Sequence, residues 1–309
     1  MGELVLVIVG PTCSGKSSLA IDIATELNSE IISADSRQVY KLIDIGTAKP
    51  SSSELETVPH SFINFLELDE NFDVSSFEKL ALVKIDNLIH NKMIPVVTGG
   101  SGLYIRALID GIVDLAADDE IRKELFTKKE KYGNEFLYRE LGSVDSEAVK
   151  TMLPQNWKRV IRALEVFYLT GKSITEYHST QNSNRDDYNF LQFGLNWKRE
   201  FLYKRIELRV DEMIKNGLVE EVKSILAKGY SETLNSLNSV GYKEIIAYLK
   251  DEIHLETAIS LIKRNTRRYA KRQLTWFRKD ERIHWFDIEN ELDLIQVKNL
   301  ILNNIKVAS

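Results

Sequence analysis

An apolar run, Leu4-Val5-Leu6-Val7-Ile8-Val9, leads directly into Gly10-Pro-Thr-Cys-Ser-Gly-Lys-Ser17, and a helical pattern follows. No other feature constrains the fold as much. The stretch from Gly10 to Ser17 fits G-x-x-x-x-G-K-[ST] without a mismatch, and the flanking strand and helix are the context that gives this pattern its meaning. Gly10 and Gly15 let the backbone curl so that its N–H groups point inward at an anion. The helix N-terminus adds partial positive charge. Lys16 places an ammonium on the outer phosphate, and the Ser17 hydroxyl suits Mg²⁺. The loop, with Pro11, Thr12, Cys13 and Ser14 between its glycines, reads phosphate oxygens but not the group they are attached to. By base rate that group would be a nucleotide such as ATP.

The first third of the chain alternates strand and helix signals. Strands are expected over Leu4–Val9, Glu30–Ala34 and Ile94–Thr98, with helices over 15–28 and 75–91. This βαβ series predicts an α/β fold whose parallel sheet carries helices on its faces. Ligands on such sheets bind beyond the carboxyl ends of the strands, where the stretches 10–17, 35–40 and 98–104 fall. From about Asp114 the chain becomes charged and helical in period, and residues 178–189 read as a polar linker. Phe190–Trp197 alternates like a strand and returns the chain to the sheet. The expected organisation is therefore a core of 1–114 and 190–309, with a helical C-terminal part, and a helical insertion of 115–189.

Net charge is −5, from 41 basic and 46 acidic residues. That argues against a bulk electrostatic nucleic-acid binder, although a local basic patch can still bind RNA. The single cysteine, Cys13, excludes an internal disulfide and suits a reducing cytosol, and the five histidines show no zinc spacing. No apolar run approaches the roughly 18 residues of a membrane span. A cytoplasmic protein with no membrane partner is expected, and nothing demands more than a monomer.

Asp35 ends an apolar run in Ile31-Ile-Ser-Ala-Asp35, the way a magnesium-binding aspartate looks downstream of a phosphate loop. Ser36, Arg37 and Gln38 extend it with hydrogen-bond donors that could read base edges. Thr98-Gly-Gly-Ser-Gly-Leu-Tyr104 is a second glycine-rich strand exit, where a ligand can approach the backbone. Trp157-Lys-Arg-Val-Ile-Arg162 clusters three cations on a helix, which by itself is more often a solvated face. Arg205 and Arg209 are four apart on a helix and could reach the phosphates, although such a pair by itself is more often a set of surface cations. Residues 263–282 hold nine basic side chains against Asp280 and Glu281, and Arg264, Arg268 and Arg272 form a stripe along one helix face. On an acidic chain this asymmetry favours a polyanion such as RNA.

Taken together, these segments resemble one family, the tRNA dimethylallyltransferases (tRNA isopentenyltransferases), over nearly the whole chain. Besides the phosphate loop, the resemblance rests on Ala34-Asp-Ser-Arg-Gln-Val-Tyr40 with Asp44-Ile-Gly-Thr-Ala-Lys-Pro50, and on Gly99-Gly-Ser-Gly-Leu-Tyr104. It extends to Arg162-Ala-Leu-Glu-Val166 with Thr170-Gly-Lys172, to Val240-Gly-Tyr-Lys243, and to Thr266-Arg-Arg-Tyr-Ala-Lys-Arg-Gln-Leu-Thr-Trp-Phe-Arg278. It implies a P-loop kinase-like parallel sheet flanked by helices, with a helical insertion domain. The implied reaction moves a dimethylallyl group from dimethylallyl diphosphate to N6 of the adenosine 3′-adjacent to the anticodon (position 37) of tRNA, releasing diphosphate. By resemblance, Thr12 to Ser17 hold the donor diphosphate, Arg209 sits near its phosphates, and Asp35 is the base for the adenine amine. Asp35, Ser36, Arg37 and Gln38, Lys158, Arg159, Val160, Ile161 and Arg162, and Ser101 and Arg122 match positions that contact the anticodon stem-loop. Arg268 and Arg272 belong to the basic stripe expected to add tRNA affinity. Ser17 and Ser101 replace a frequent Thr and keep its hydroxyl. Leu237-Asn-Ser-Val240 lacks the Gln or Arg common before Val-Gly-Tyr. The C-terminal zinc finger of eukaryotic members is missing, which points to a bacterial-type enzyme. Two rivals remain at this stage, a P-loop kinase and a non-catalytic RNA-binding protein.

Overall fold

A computed structural model describes residues 2–112, 115, 118–180 and 185–308, the side chains of 178–180 and 306–308 excepted. Six strands form one sheet: β1 (Glu3–Val9), β2 (Ile31–Ser33), β3 (His60–Ser61), β4 (Val96–Gly99), β5 (Tyr188–Trp197) and β6 (Ile283–Ile288). Their order is β3-β2-β4-β1-β5-β6, and every pairing is parallel. The apolar run of β1 sits at the centre because both of its faces are covered. Val5, Val7 and Val9 enter one buried cluster, and Leu6 and Ile8 enter the other, all fully buried. Helices from both the first and last thirds of the chain pack on these two faces, as the alternation of strand and helix signals predicts.

The register brings the strand exits level. Val9 of β1 lies beside Gly99 of β4 and Gly194 of β5, and Ser33 of β2 lies beside Thr98. The loops after β1, β2 and β4 therefore leave from one edge. The helix Lys16–Glu26 starts there with Gly15 as its N-cap, in the left-handed region at φ 83°, and no side chain caps it. Its first N–H groups are left for an external acceptor.

Two compact units emerge, Met1–Ile109 with Arg185–Ser309, and Asp110–Asn184. The return to the first unit comes earlier than Phe190. Glu3 N–H donates to Asp187 O at 2.7 Å, Tyr188 hydroxyl donates to Asp86 at 2.6 Å, and Arg185 pairs with Glu78. The boundary expected near Asp114, and residues 181–184 of the expected linker, lie outside the described residues. The second unit is helical, around its own core of Leu125, Leu137, Leu141, Val160 and Leu164. β6 had no clear sequence signal. It is an edge strand whose apolar Trp285 and Phe286 are only half-buried. Among the described residues no helix is long and apolar enough to cross a membrane.

Candidate active site

The glycine loop is held from outside at three points. Arg205 Nε donates to Cys13 O at 2.8 Å, Trp197 Nε1 donates to Ser14 O at 2.8 Å, and Thr12 N–H donates to Gln273 Oε1 at 2.8 Å. Arg205 also stacks over the Trp197 ring, 4.5 Å from its centroid, and pairs with Glu291. Its guanidinium thus supports the loop, and Arg205 also lines the cavity beside it. Cys13 itself takes a left-handed backbone at φ 64°. Arg209 reaches the same turn, with Nη1 3.6 Å from Cys13 Sγ. The Ser14 hydroxyl is fully buried and makes no hydrogen bond with the described residues. Ser17 is exposed at the start of the helix.

Opposite the loop, Asp35 leaves β2 in a tight turn. Its Oδ1 accepts from Arg37 N–H at 2.8 Å and from Gln38 N–H at 3.3 Å. Ser36 N–H donates to Ser101 Oγ at 3.0 Å, which ties this turn to the exit of β4. The fit is close. A Cβ on Gly99 would lie 2.1 Å from Ala34 O, so only glycine serves there. The Gln38 amide donates to Thr47 O and Ala48 O at 3.2 Å, and its own Oε1 accepts from Ser33 Oγ at 3.4 Å. The neighbouring turn is held by Glu221. Its carboxylate accepts from Asp44 N–H at 2.9 Å, Ile45 N–H at 2.7 Å, Gly46 N–H at 3.3 Å and Tyr242 hydroxyl at 2.6 Å.

Both loops line one cavity of about 720 Å³, together with Arg209, Tyr269, Arg272 and Gln273. Burial pushes the Lys16 ammonium down to about 8. The Asp35 carboxylate works against that shift and the Arg209 guanidinium adds to it. Burial also raises the Tyr269 phenol, with the Asp35 charge in support. The cavity therefore has a cationic donor side and a carboxylate on the other side. Among the described residues no three His, Cys, Asp or Glu side chains are grouped to hold a metal ion. The cavity does offer hard oxygen donors, the Ser17 hydroxyl and the Asp35 carboxylate. Such a set fits an ion completed by substrate oxygens and water, which is how Mg²⁺ prefers to bind.

The remaining expected residues belong to the helical unit and to the helix Leu255–Phe277. Arg122 and Arg162 both donate to Oε2 of the buried Glu165, at 3.0 and 2.8 Å, while Asp118 N–H donates to Oε1 at 3.1 Å. The two arginines first serve the fold of the helical unit by compensating a buried carboxylate. The side chains of Val160 and Ile161 are buried in that unit's core. Lys158 and Arg159 are exposed, with the Lys158 ammonium 5.4 Å from the Trp157 ring. On the helix Leu255–Phe277, Lys263 pairs with Asp211 and Arg267 with Glu207 at 2.7 and 2.8 Å, so part of the basic excess is spent within the fold. Arg268 and Arg272 are exposed, and Arg272 stacks over Tyr269 at 5.7 Å. Sequence reasoning missed Gln273, Tyr269 and Glu221. The spacing of Tyr269 and Gln273, four apart on one helix, was the available signal for the first two.

The chain matches the family model described as IPP transferase over residues 38–280. It is 44% identical to the tRNA dimethylallyltransferase of Alkaliphilus oremlandii over 308 residues, 99% of this chain and 98% of that protein. It is 45% identical to the tRNA dimethylallyltransferase of Halothermothrix orenii, covering 92% and 87%. Among solved structures it is similar to the full-length tRNA isopentenylpyrophosphate transferase of Bacillus halodurans, with 38% identity and TM-score 0.72 over 99% and 97% of the two chains. It is also similar to a eukaryotic dimethylallyltransferase acting on tRNA, with 30% identity and TM-score 0.81 over 94% and 75%.

Proposed function

The chain belongs to the IPP transferase family, that of the tRNA dimethylallyltransferases, and from that membership we propose that it transfers a dimethylallyl group from dimethylallyl diphosphate to N6 of the adenosine 3′-adjacent to the anticodon (position 37) of tRNA. The observation that carries this reading is that one cavity holds the phosphate loop, with Lys16 and the uncapped helix start, and across from it Asp35.

Breaking an allylic carbon–oxygen bond leaves positive charge on carbon and adds negative charge to the departing diphosphate. Donors fixed where that charge develops lower the barrier most. The loop N–H groups that are not bonded within the protein, the helix N-terminus, Lys16 and Arg209 are those donors. Mg²⁺, held by Ser17 and substrate oxygens, would supply further positive charge to the leaving group when bound. The adenine amine is a weak nucleophile and a weak acid. It becomes acidic only as its bond to carbon forms, so Asp35 takes the proton late, on the oxygen that does not serve the turn. N6 lies on the pairing edge of the base, so the adenosine must be unstacked to enter. Exposed Arg268 and Arg272 are suited to hold the RNA backbone while it does.

The test is to incubate the protein with Mg²⁺, unmodified tRNA and labelled dimethylallyl diphosphate, with ATP in a parallel tube. The proposal expects label in tRNA and no ATP-dependent phosphoryl transfer. Phosphoryl transfer would identify a kinase instead, and binding of tRNA without turnover of either donor would leave an RNA-binding protein.

A further inference from the structure

The helix Leu255–Phe277 carries more than basic charge. Gln273, which is 6% exposed, lies on the buried side of the same helix as exposed Arg268 and Arg272. One amide spans two loops. Its Oε1 accepts from Thr12 N–H at 2.8 Å, in the phosphate loop, and its Nε2 donates to Gly100 O at 2.9 Å. Gly100 immediately precedes Ser101, whose Oγ accepts from Ser36 N–H beside Asp35. The contact is tight, since a Cβ on Gly100 would lie 2.3 Å from Gln273 Nε2. Gly100 is not among the residues with positive φ, so the crowding, and not the backbone conformation, selects glycine there.

Resting on the prenyl-transfer reading, we infer that Gln273 is a positioning residue that sets the distance between the donor diphosphate and the acceptor adenine by tying the phosphate loop to the loop that anchors the Asp35 turn. No other residue type fits both contacts as well. The amide presents an acceptor to an N–H and a donor to a C=O from a single rigid plane. A carboxylate of the same size would keep the first bond and set oxygen against oxygen at the second. An aliphatic side chain would leave a buried N–H and a buried C=O without partners. Gln273 touches neither reacting group, so its loss should change alignment and not the ability to bind. Misplacement of reacting groups by about 1 Å can cost about 10²-fold in rate.

The experiment measures single-turnover transfer with both substrates saturating, alongside equilibrium affinity for tRNA and for inorganic diphosphate. Gln273→Ala and Gln273→Glu should each slow transfer by about 10²-fold while both affinities stay near wild type. Gln273→Glu, equal in size, provides the test if the alanine variant does not fold. Gly100→Ala should slow wild type by pushing the amide aside and should add little in the Gln273→Ala background, where the space is free. Affinity loss with an unchanged rate in the bound complex would overturn the inference, as would additive effects of the two substitutions. A wild-type protein inert toward the prenyl donor would bring down the functional reading itself, and this inference with it.

Discussion

At the scale of single residues, Asp35 and Lys16 have separable tests. Asp35 uses one oxygen to fix the backbone at Arg37 and Gln38. Asp35→Ala therefore removes a base and loosens a turn at once. Asp35→Asn keeps the Oδ1 acceptor and is the cleaner variant. It should lower the rate in the tRNA–donor complex by about 10²–10⁴-fold, the usual worth of general-base help, with tRNA affinity little changed by filter binding. A collapse of affinity would make Asp35 chiefly a binding residue. For Lys16 the sign follows from its depressed value of about 8 against an ordinary 10.5. In the free protein the ammonium is lost as pH rises through about 8, so affinity for inorganic diphosphate should fall there more steeply in wild type than in Lys16→Met. Between about 8 and 10.5 the unfolded chain holds more protons than the native one at this site, so the residue's contribution to stability rises with pH across that window. The phosphate loop was legible in sequence because its glycines, lysine and serine act through backbone geometry and fixed spacing. Gln273 was not, because its two partners are 261 and 173 residues away.

At the scale of elements, the basic helix and the turn at residues 44–46 make distinct predictions. Replacing both Arg268 and Arg272 with Glu should weaken tRNA binding and flatten its dependence on log salt by roughly 2, about one per lost phosphate contact. Measured in a salt titration, an unchanged slope would remove this helix from the RNA interface. The same spacing argument overstated Lys263 and Arg267, which Asp211 and Glu207 neutralise. Sequence shows a charge stripe but not the two acidic side chains packed against it from another helix. Glu221 accepts four hydrogen bonds, three of them from consecutive backbone N–H groups. Glu221→Ala should cost about 3 kcal/mol in urea unfolding and Tyr242→Phe about 1.5 kcal/mol, since hydrogen bonds to a charged acceptor are the stronger kind. Equal losses would mean the N–H contacts contribute nothing.

At the scale of the molecule, the parallel sheet was readable because β1 is apolar on both faces, a pattern that only a covered central strand needs. Its edge was harder to see. β6 is half-exposed and follows a charged stretch, so neither alternation nor a continuous apolar run marks it. The position of Glu165 was also hidden. A carboxylate buried at 0% exposure is stable only with donors around it, and the sequence string Arg-Ala-Leu-Glu does not reveal Arg122 and Asp118, 43 and 47 residues earlier. The central claim joins these scales: a phosphate loop whose bound diphosphate leaves while the attached carbon is transferred to RNA. The most direct measurement quantifies diphosphate release and N6-dimethylallyladenosine formation together, using an anticodon stem-loop and dimethylallyl diphosphate without ATP. The account predicts equal amounts of both products, and neither when guanosine replaces the target adenosine. Diphosphate released without prenylated RNA, or turnover that appears only when ATP is supplied, would contradict it.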